Sequence, residues 1–223
     1  MRYTTKMRGT IVGVLRGGPS REHEVSLATG AEILRNLNLE HYTPRDIYID
    51  TQGNWHVHGK PSSPELALRS VDVVIVGLHG EYGEDGEVQK ILERYGIPYS
   101  GSAPFPSYVT MHKVMAIEHA REHSIATPEY RFVQDEASAE EVLRDVIRTF
   151  PQPVVVKPVR THDAPRIVSG YAPLYVATME FLNKGAGGVL IEKLVNGTEV
   201  MVGILENMRG EALYALPPRA IGV

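Results

Sequence analysis

The sequence predicts an α/β protein: a Rossmann-like parallel sheet first, then an α+β unit with an antiparallel sheet. Three observations predict this. Residues 10–15 are a short apolar run that leads into two glycines and then a helical pattern. Residues 71–78 have the continuous apolar character of a strand buried on both faces. Beyond residue 150, strand-like runs follow one another with one helical pattern among them.

The composition is that of an ordinary globular protein. The chain has 223 residues, of which 43% are hydrophobic and 22% charged, with a formal net charge of -4. This profile excludes disordered and collagen-like proteins, and no apolar run approaches the length of a membrane span. With 23 basic and 27 acidic residues and no block of like charge, neither a nucleic acid nor a membrane is the expected partner. The lack of cysteine and of a secretory signal predicts a cytoplasmic protein.

The first unit is expected over residues 1–108. Its elements, in order, are a strand at residues 10–15, a helix capped by Ser20, strands at residues 46–49 and 71–78, and a helix that ends at Gly96. Prolines and a serine at residues 104–107 mark its boundary.

The second unit is expected over residues 109–223. Its helices are predicted at residues 111–123, from a Ser138–Glu141 capping box to Phe150, and at residues 176–184. An extended segment is expected at residues 127–133, and one antiparallel sheet from strands at residues 154–157, 188–192, 199–205 and 211–216.

Two glycine-containing loops follow strands of the first unit. Gly17 and Gly18 are either a tight turn or an anion cradle at a helix start, although they match neither the dinucleotide nor the phosphate-loop motif. Residues 79–86 read H-G-E-Y-G-E-D-G, and glycines among His, Glu and Asp lack a packing purpose in a surface loop. That loop is therefore expected to be functional. The alternative is a solvated acidic turn, and the carboxylate spacing excludes an EF-hand.

Charged residues stand at the ends of two strands of the second unit. Lys157 ends one strand, Glu192 and Lys193 end another, and Glu199 follows. Lysines aimed into a cleft suit a polyphosphate and a carboxylate suits ribose hydroxyls, although each residue alone is also an ordinary surface charge.

His119-x-x-Glu122-His123 matches the spacing of some zinc peptidases. Nine histidines in the chain make accidental pairs common, and no third ligand has a supporting motif. The pair His56-x-His58 carries less weight, and residues 196–198 (N-G-T) are interpreted as a hairpin turn.

Taken together, these segments resemble the D-alanine:D-alanine ligase family of the ATP-grasp superfamily. The matching motifs are G-G-P-S-R-E-H-E-V-S-L at residues 17–27, H-G-E-Y-G-E-D-G at 79–86, Y-S-G-S-A-P at 99–104 and M-H-K at 111–113. The register continues with V-K-P at residues 156–158, L-I-E-K at 190–193, G-T-E-V-M-V-G at 197–203 and A-L-P-P at 215–218.

The resemblance implies ATP-dependent joining of two D-alanines for peptidoglycan precursors, through an acyl phosphate that the second amine attacks. It implies Glu22 and His79 as catalytic residues, with Glu22 holding the first ammonium, and a substrate site formed by Glu22, Ser26, His79 and Gly80. It implies ATP and Mg²⁺ as cofactors. For ATP, Lys113 and Lys157 would contact the phosphates, Glu192, Lys193 and Val195 the adenine region, and Glu199 the ribose.

The chain departs from the family in one loop. Where the family has a Gly/Ser-rich phosphate loop, residues 159–166 read V-R-T-H-D-A-P-R, and Pro165 has no N–H to donate. Arg160, His162 or Arg166 is the hypothesised replacement, binding phosphate by charge.

The family's lid and magnesium ligands have no counterpart before Val223, so no metal ligand is assigned. Because Mg²⁺ neutralises charge on the transferred phosphoryl group, the isolated chain is expected to be inactive or impaired. The alternatives are a non-catalytic pseudoenzyme or interaction protein that still binds nucleotide or D-alanine, and an enzyme completed by a second copy or another chain.

Overall fold

The computed structural model describes residues 9–160 and 163–221. In the first part of the chain, the elements are β1 (Thr10–Gly17), α1 (His23–Asn36), β2 (Tyr42–Ile49), β3 (Trp55–Val57), β4 (Lys60–Ser62), α2 (Pro64–Leu68), β5 (Val73–Val76) and α3 (Glu87–Arg94). They form a five-stranded sheet in the order β4-β3-β2-β1-β5. Strand β1 lies between β2 and β5 and runs parallel to both, as the sequence predicts, and β3 and β4 add an antiparallel edge that the sequence did not predict.

The first core lies where the apolar strands meet the helices. Leu15 of β1, Ile47 of β2, Val74 of β5 and Leu92 of α3 are buried in one cluster. Helix α1 approaches β1 closely at Gly30, where a Cβ would stand 2.4 Å from the Arg16 Cβ. A glycine at this helix position is therefore a packing requirement.

In the second part, the elements are α4 (Pro104–Met111), α5 (Lys113–Glu122), β6 (Tyr130–Val133), α6 (Glu136–Thr149), β7 (Val154–Pro158), β8 (Arg166–Val168), α7 (Tyr171–Asn183), β9 (Val189–Lys193), β10 (Val200–Met201), β11 (Ile204–Met208), β12 (Glu211–Ala215) and β13 (Arg219–Ala220). An antiparallel sheet in the order β6-β9-β7-β8 packs with α6 and α7 around a second core. Leu143, Phe181 and Ile191 lie in that core.

The two predicted helix caps are both wrong. The N-cap of α1 is Glu22, and the Ser20 hydroxyl instead accepts from the Glu22 N–H at 3.1 Å and donates to the His79 carbonyl at 2.7 Å. Helix α6 begins with a capping box in which Asp135 is the N-cap and Ser138 is the third helical residue, so Ser138 is not the N-cap. In both cases a residue other than the predicted serine occupies the N-cap position.

The predicted single antiparallel sheet is also wrong. The run at residues 199–205 divides into β10 and β11, which pair with β13 and β12 respectively and not with β9. Since β9 and β10 are not paired, residues 196–198 are not a hairpin turn. Helix α4, with Pro104 in its first turn, forms where a linker was expected. The boundary at residue 108 falls inside α4 and stays a prediction. Among the described helices, none is both long and apolar enough to span a bilayer.

Candidate functional site

The two glycines after β1 serve backbone packing. Both have positive φ, 89° at Gly17 and 93° at Gly18. A Cβ on Gly17 would stand 2.3 Å from the Ile49 carbonyl oxygen, and the Gly18 N–H donates to that same oxygen at 2.8 Å. The tight-turn interpretation therefore fits, because the Gly18 N–H is already used and does not face an anion.

The residues expected to hold the first substrate meet beyond the carboxyl ends of β1 and β5. The Ser26 hydroxyl accepts a hydrogen bond from the His79 N–H at 2.8 Å, and Ser26 is fully buried. Gly80 has a φ of 73°, and a Cβ on it would stand 2.7 Å from Glu22 Oε2, so a side chain at this position would be strained and would displace the carboxylate. Loops at this edge of a parallel sheet are the usual ligand-binding position. The structure thus brings Glu22, Ser26, His79 and Gly80 together.

The His79 ring is held between two oxygen atoms. Its Nε2 lies 2.8 Å from the Thr29 hydroxyl, and its Nδ1 lies 3.5 Å from Glu84 Oε1. Thr29 and Glu84 therefore fix the orientation of the ring beside Glu22. Sequence reasoning missed Thr29, because a threonine one helical turn after Ser26 carries no motif of its own.

In the loop at residues 79–86, the prediction that the glycines lack a packing purpose is wrong. Glycines in it do have packing roles, since a Cβ on Gly83 would stand 2.5 Å from the Leu78 Cβ and one on Gly86 2.5 Å from the Pro104 carbonyl. Its acidic residues brace the loop, because Glu84 accepts from the Gly80 N–H at 3.0 Å and Asp85 from the Tyr82 N–H at 2.8 Å. The loop therefore owes much of its shape to its own glycines and carboxylates.

Two lysines meet beside a buried carboxylate in the second part of the chain. Lys157 on β7 donates to Glu192 on the neighbouring strand β9 at 2.6 Å, and Glu192 is only 5% exposed. Burial and then the positive charge of Lys157 lower the pKa of Lys113, while Glu192 and Glu81 oppose that shift. The region therefore holds two neighbouring cations with one buried counter-charge between them.

A cavity of about 410 Å³ opens beside these residues. Its volume is within the usual range for a small-molecule site, roughly 300–1,000 Å³. Five of the six residues expected to contact ATP line it: Lys157, Glu192, Lys193, Val195 and Glu199. The sixth, Lys113, is electrostatically coupled to Lys157. Lys193 also forms an ion pair with Glu129, a partner that the sequence did not indicate.

The divergent loop at residues 159–166 borders both cavities of the cleft. Pro165 lines the cavity of Lys157. Arg160 lines a second, smaller cavity of about 210 Å³ together with Glu81 and His112. Burial, and then the charge of Arg160, lowers the pKa of His112. Arg160 is thus a cation in a cavity that also holds the carboxylates of Glu81, Asp85 and Glu87.

The other two residues hypothesised to replace the phosphate loop do not share this position. Arg166 forms an ion pair with Glu180 and lies over the Phe181 ring, with its guanidinium carbon 5.2 Å from the ring centroid. It is therefore directed toward α7. His162 lies outside the described residues. Asp163 of the same loop pairs with Arg21, at 2.7 Å, and so connects the loop to the first unit.

Among residues 9–160 and 163–221, one group of three potential metal ligands comes together, and it is His119, Glu122 and His123 at the end of α5, outside this cleft. Three carboxylates near the cleft have other partners, since Glu192 accepts from Lys157, Glu84 from the Gly80 N–H and Asp85 from the Tyr82 N–H. No step is therefore derived through a metal ion held by these residues.

Comparison with known proteins identifies the family. A family model described as D-ala D-ala ligase N-terminus matches residues 11–68 and 58–102. A D-alanine--D-alanine ligase of Anaeromyxobacter sp. (strain Fw109-5) is 37% identical over 213 residues, which is 95% of this chain and 64% of that protein. This chain belongs to the D-alanine–D-alanine ligase family. Another family member, from Geobacter sulfurreducens, is 32% identical over 216 residues, 95% of this chain and 63% of its own. The chain thus spans less than two thirds of the length of these ligases.

Solved structures of the ligase family share the fold. The D-alanine-D-alanine ligase from Coxiella burnetii aligns with a TM-score of 0.82 at 24% identity, over 96% of this chain and 71% of that one. The VanG D-Ala:D-Ser ligase from Enterococcus faecalis aligns with a TM-score of 0.81 at 23% identity, over 96% and 70%. The predicted α/β fold class is therefore confirmed.

Proposed function

We propose that the chain forms the first D-alanine site and the nucleotide site of a D-alanine:D-alanine ligase. The observation that carries the proposal is that the residue types of both sites lie in two groups that Glu81 connects. Glu22 lies against Gly80 in the first group, and Lys113, Lys157 and Glu192 form the second. Glu81 follows Gly80 in the chain, and its charge acts on Lys113.

The chemistry required of the first site is recognition of a zwitterion. The Glu22 carboxylate suits the ammonium group of D-alanine, since a charge-assisted hydrogen bond is about twice as strong as a neutral one. His79, oriented by Thr29 and Glu84, is the group placed beside the bound substrate. The D-alanine carboxylate then points away from Glu22, toward the lysines, where like charges do not repel it.

The lysine pair suits a polyphosphate. Because the positive charge of Lys157 adds to burial in lowering the pKa of Lys113, an anion bound near both lysines would relieve that repulsion, which favours binding of the ATP phosphates beside them. ATP supplies the phosphoryl group that converts the first carboxylate into an acyl phosphate, and the second amine then displaces inorganic phosphate. In the same proposal Glu192, Lys193 and Val195 bind the adenine and Glu199 the ribose. Mg²⁺ is the second cofactor that the family implies.

The nucleotide site is tested by binding. Lys157→Ala removes a cavity-lining ammonium, and we expect it to weaken binding of a fluorescent ATP analogue by roughly tenfold or more, the equivalent of one charged hydrogen bond. Lys60→Ala is the matched control, because Lys60 is exposed on β4, far along the chain from the cavity. Equal loss in both variants, or in neither, would refute the assignment of Lys157.

The substrate site and turnover are tested together. Release of ADP from ATP and Mg²⁺ is measured with and without D-alanine, and dependence on D-alanine is the expected result for a ligase. Glu22→Gln should reduce that dependence on D-alanine. Glu24→Gln, which changes an exposed carboxylate two residues further along the chain, should preserve it. D-alanine-independent release in all three proteins would argue against the proposed substrate.

A second candidate function is binding without turnover. It is favoured by the loop at residues 159–166, where Pro165 lines the cavity and Arg166 is tied to Glu180. Nucleotide binding with no ADP release would support this pseudoenzyme or interaction role. Activity that returns on adding a second polypeptide, or that rises with dimerisation, would instead support an enzyme completed by another chain.

A cytoplasmic location belongs to the ligase proposal, since D-alanine and ATP meet in that compartment.

A further inference from the structure

Two histidines and a carboxylate meet at the C-terminal end of α5, outside the proposed ligase cleft. The His119 and His123 ring centroids are 4.5 Å apart, and His119 Nδ1 lies 3.6 Å from Glu122 Oε2. One ligand atom from each of the three residues can be chosen so that all lie within 4.8 Å of one another. Residues four apart on a helix share a face, which explains how the two imidazoles meet.

A backbone contact fixes the protonation of one ring. His123 Nδ1 lies 2.9 Å from the His119 carbonyl oxygen, and a carbonyl oxygen only accepts hydrogen bonds. Nδ1 therefore carries the proton, and Nε2 carries the lone pair that a metal needs. Metal-binding histidines commonly donate their second nitrogen to a carbonyl in this manner.

The electrostatic surroundings favour a cation. The cluster stands at the end of a helix, where the free carbonyl groups present partial negative charge, and Glu122 adds a full one. The neighbouring cation, Arg121, is turned away, since its guanidinium donates to Glu118 at 3.0 Å and to Thr127 at 2.8 Å. All three candidate ligands are exposed, so a metal ion would not have to be buried.

We propose that His119, Glu122 and His123 bind a transition-metal dication of the Zn²⁺, Ni²⁺ or Cu²⁺ class. The ligands are Nε2 of His123, a ring nitrogen of His119 and a carboxylate oxygen of Glu122, with water at the remaining positions. Imidazole nitrogen selects this class over Mg²⁺ and Ca²⁺, which prefer oxygen. Because zinc–nitrogen distances are about 2.0–2.1 Å, the side chains close by small rotations on binding. The site stands independently of the ligase proposal.

The first test is calorimetric titration of Zn²⁺ into the untagged full chain. We expect one ion per chain, and a loss of affinity of at least about tenfold in His119→Ala/His123→Ala, since even indirect partners of a metal contribute that much. The matched control is His41→Ala/His58→Ala, which removes two exposed histidines from the first unit. Affinity unchanged in the first double variant, or reduced equally in the control, would overturn the site.

The second test identifies the ligands. With Cu²⁺ bound, the electron paramagnetic resonance spectrum should show splitting from two nitrogen nuclei, and from one in either single histidine variant. Glu122→Gln should retain two nitrogens and bind more weakly. A spectrum whose nitrogen count is the same in the double variant would place the metal elsewhere and refute the proposal. Circular dichroism of each variant confirms that the fold is kept, which the exposure of all three residues predicts.

Discussion

At the residue scale, the turn between β2 and β3 shows how one carboxylate organises several donors. Asp50 accepts from the backbone N–H groups of Gln52 and Asn54, at 2.9 and 2.8 Å, and from the His56 ring at 3.0 Å. The hydrogen bond from His56 is the largest of the contributions that hold the pKa of Asp50 below its ordinary value. The ionised form is thus favoured in the folded state.

This lowered pKa predicts a pH dependence of stability. Since the folded pKa lies below the unfolded one, ionised Asp50 stabilises the fold above about pH 4, and the contribution is lost as the pH falls further. We expect Asp50→Asn to lower the free energy of unfolding at pH 7 and to matter progressively less in acid. Urea unfolding at pH 7 and at pH 3 measures the loss of stability. Glu40→Gln, which changes an exposed carboxylate in the preceding loop, is the control. A deficit that is the same at pH 7 and pH 3 would contradict the prediction.

Residue chemistry also sets what the sequence can reveal about the site. Glu22, His79, Lys157 and Glu192 stand in motifs, and the resemblance of those motifs to the ligase family implies ammonium and phosphate binding. The partners Thr29 and Glu129 are ordinary residues that become neighbours only through the fold. Glycine is ambiguous in the same way, because Gly83 and Gly86 pack closely against Leu78 and Pro104 and yet occur inside a functional loop.

At the element scale, the contact between α1 and β1 positions the residues that are proposed to bind the first substrate. Helix α1 carries Glu22 at its start and Ser26 and Thr29 on the face toward His79. It lies close to β1 because Gly30 has no side chain. The alignment of the helix with the loop at residues 79–86 therefore depends on one missing methyl group.

We expect Gly30→Ala to destabilise the protein despite the higher helix propensity of alanine. Propensity favours alanine by about 1 kcal/mol, but overpacking costs typically 1–3 kcal/mol, and here the new Cβ would stand 2.4 Å from the rigid Cβ of Arg16. Chemical denaturation gives the difference. Gly197→Ala, which adds a Cβ with nothing within 4 Å, should leave the stability unchanged. Higher stability in Gly30→Ala would show that α1 is free to move outward.

The elements that the sequence predicts well are those that contain many apolar residues at the regular spacing of a strand or a helix. Strands β1, β7 and β9 and helices α6 and α7 are recognisable because burial enforces the pattern. Strands β10 and β13 have two residues each, and β3 and β4 have three, which is too short for alternation to be visible. Which strand pairs with which is decided by contacts distant in sequence, so the single predicted sheet was wrong.

At the scale of the whole molecule, the five-stranded and the four-stranded sheets have separate hydrophobic cores. Trp55, the only tryptophan of the chain, belongs to the first core, while Leu143 belongs to the second. The Arg21–Asp163 ion pair, at 2.7 Å, connects the two parts. Such a contact is weak in comparison with either core.

We therefore expect the two cores to unfold separately. Leu143→Ala should cost the second core about 2–5 kcal/mol, and it should leave the transition seen by Trp55 fluorescence unchanged while circular dichroism shows an earlier step. Leu92→Ala, the matched change in the first core, should shift the fluorescence transition. If Leu143→Ala moves both signals together, the chain is one cooperative unit and the proposed division near residue 108 has no thermodynamic meaning.

The Arg21–Asp163 ion pair has a consequence that extends beyond stability. Arg21 is adjacent to Glu22, and Asp163 belongs to the loop that borders the cavity of Lys157. Thermodynamic reciprocity then applies: if occupying one loop strengthens or breaks the pair, occupying the other changes the first affinity by the same factor. An exposed pair is worth about 1 kcal/mol or less, so that mutual factor is at most about fivefold. Amino acid and nucleotide would each sense the other's presence through a single pair of charges.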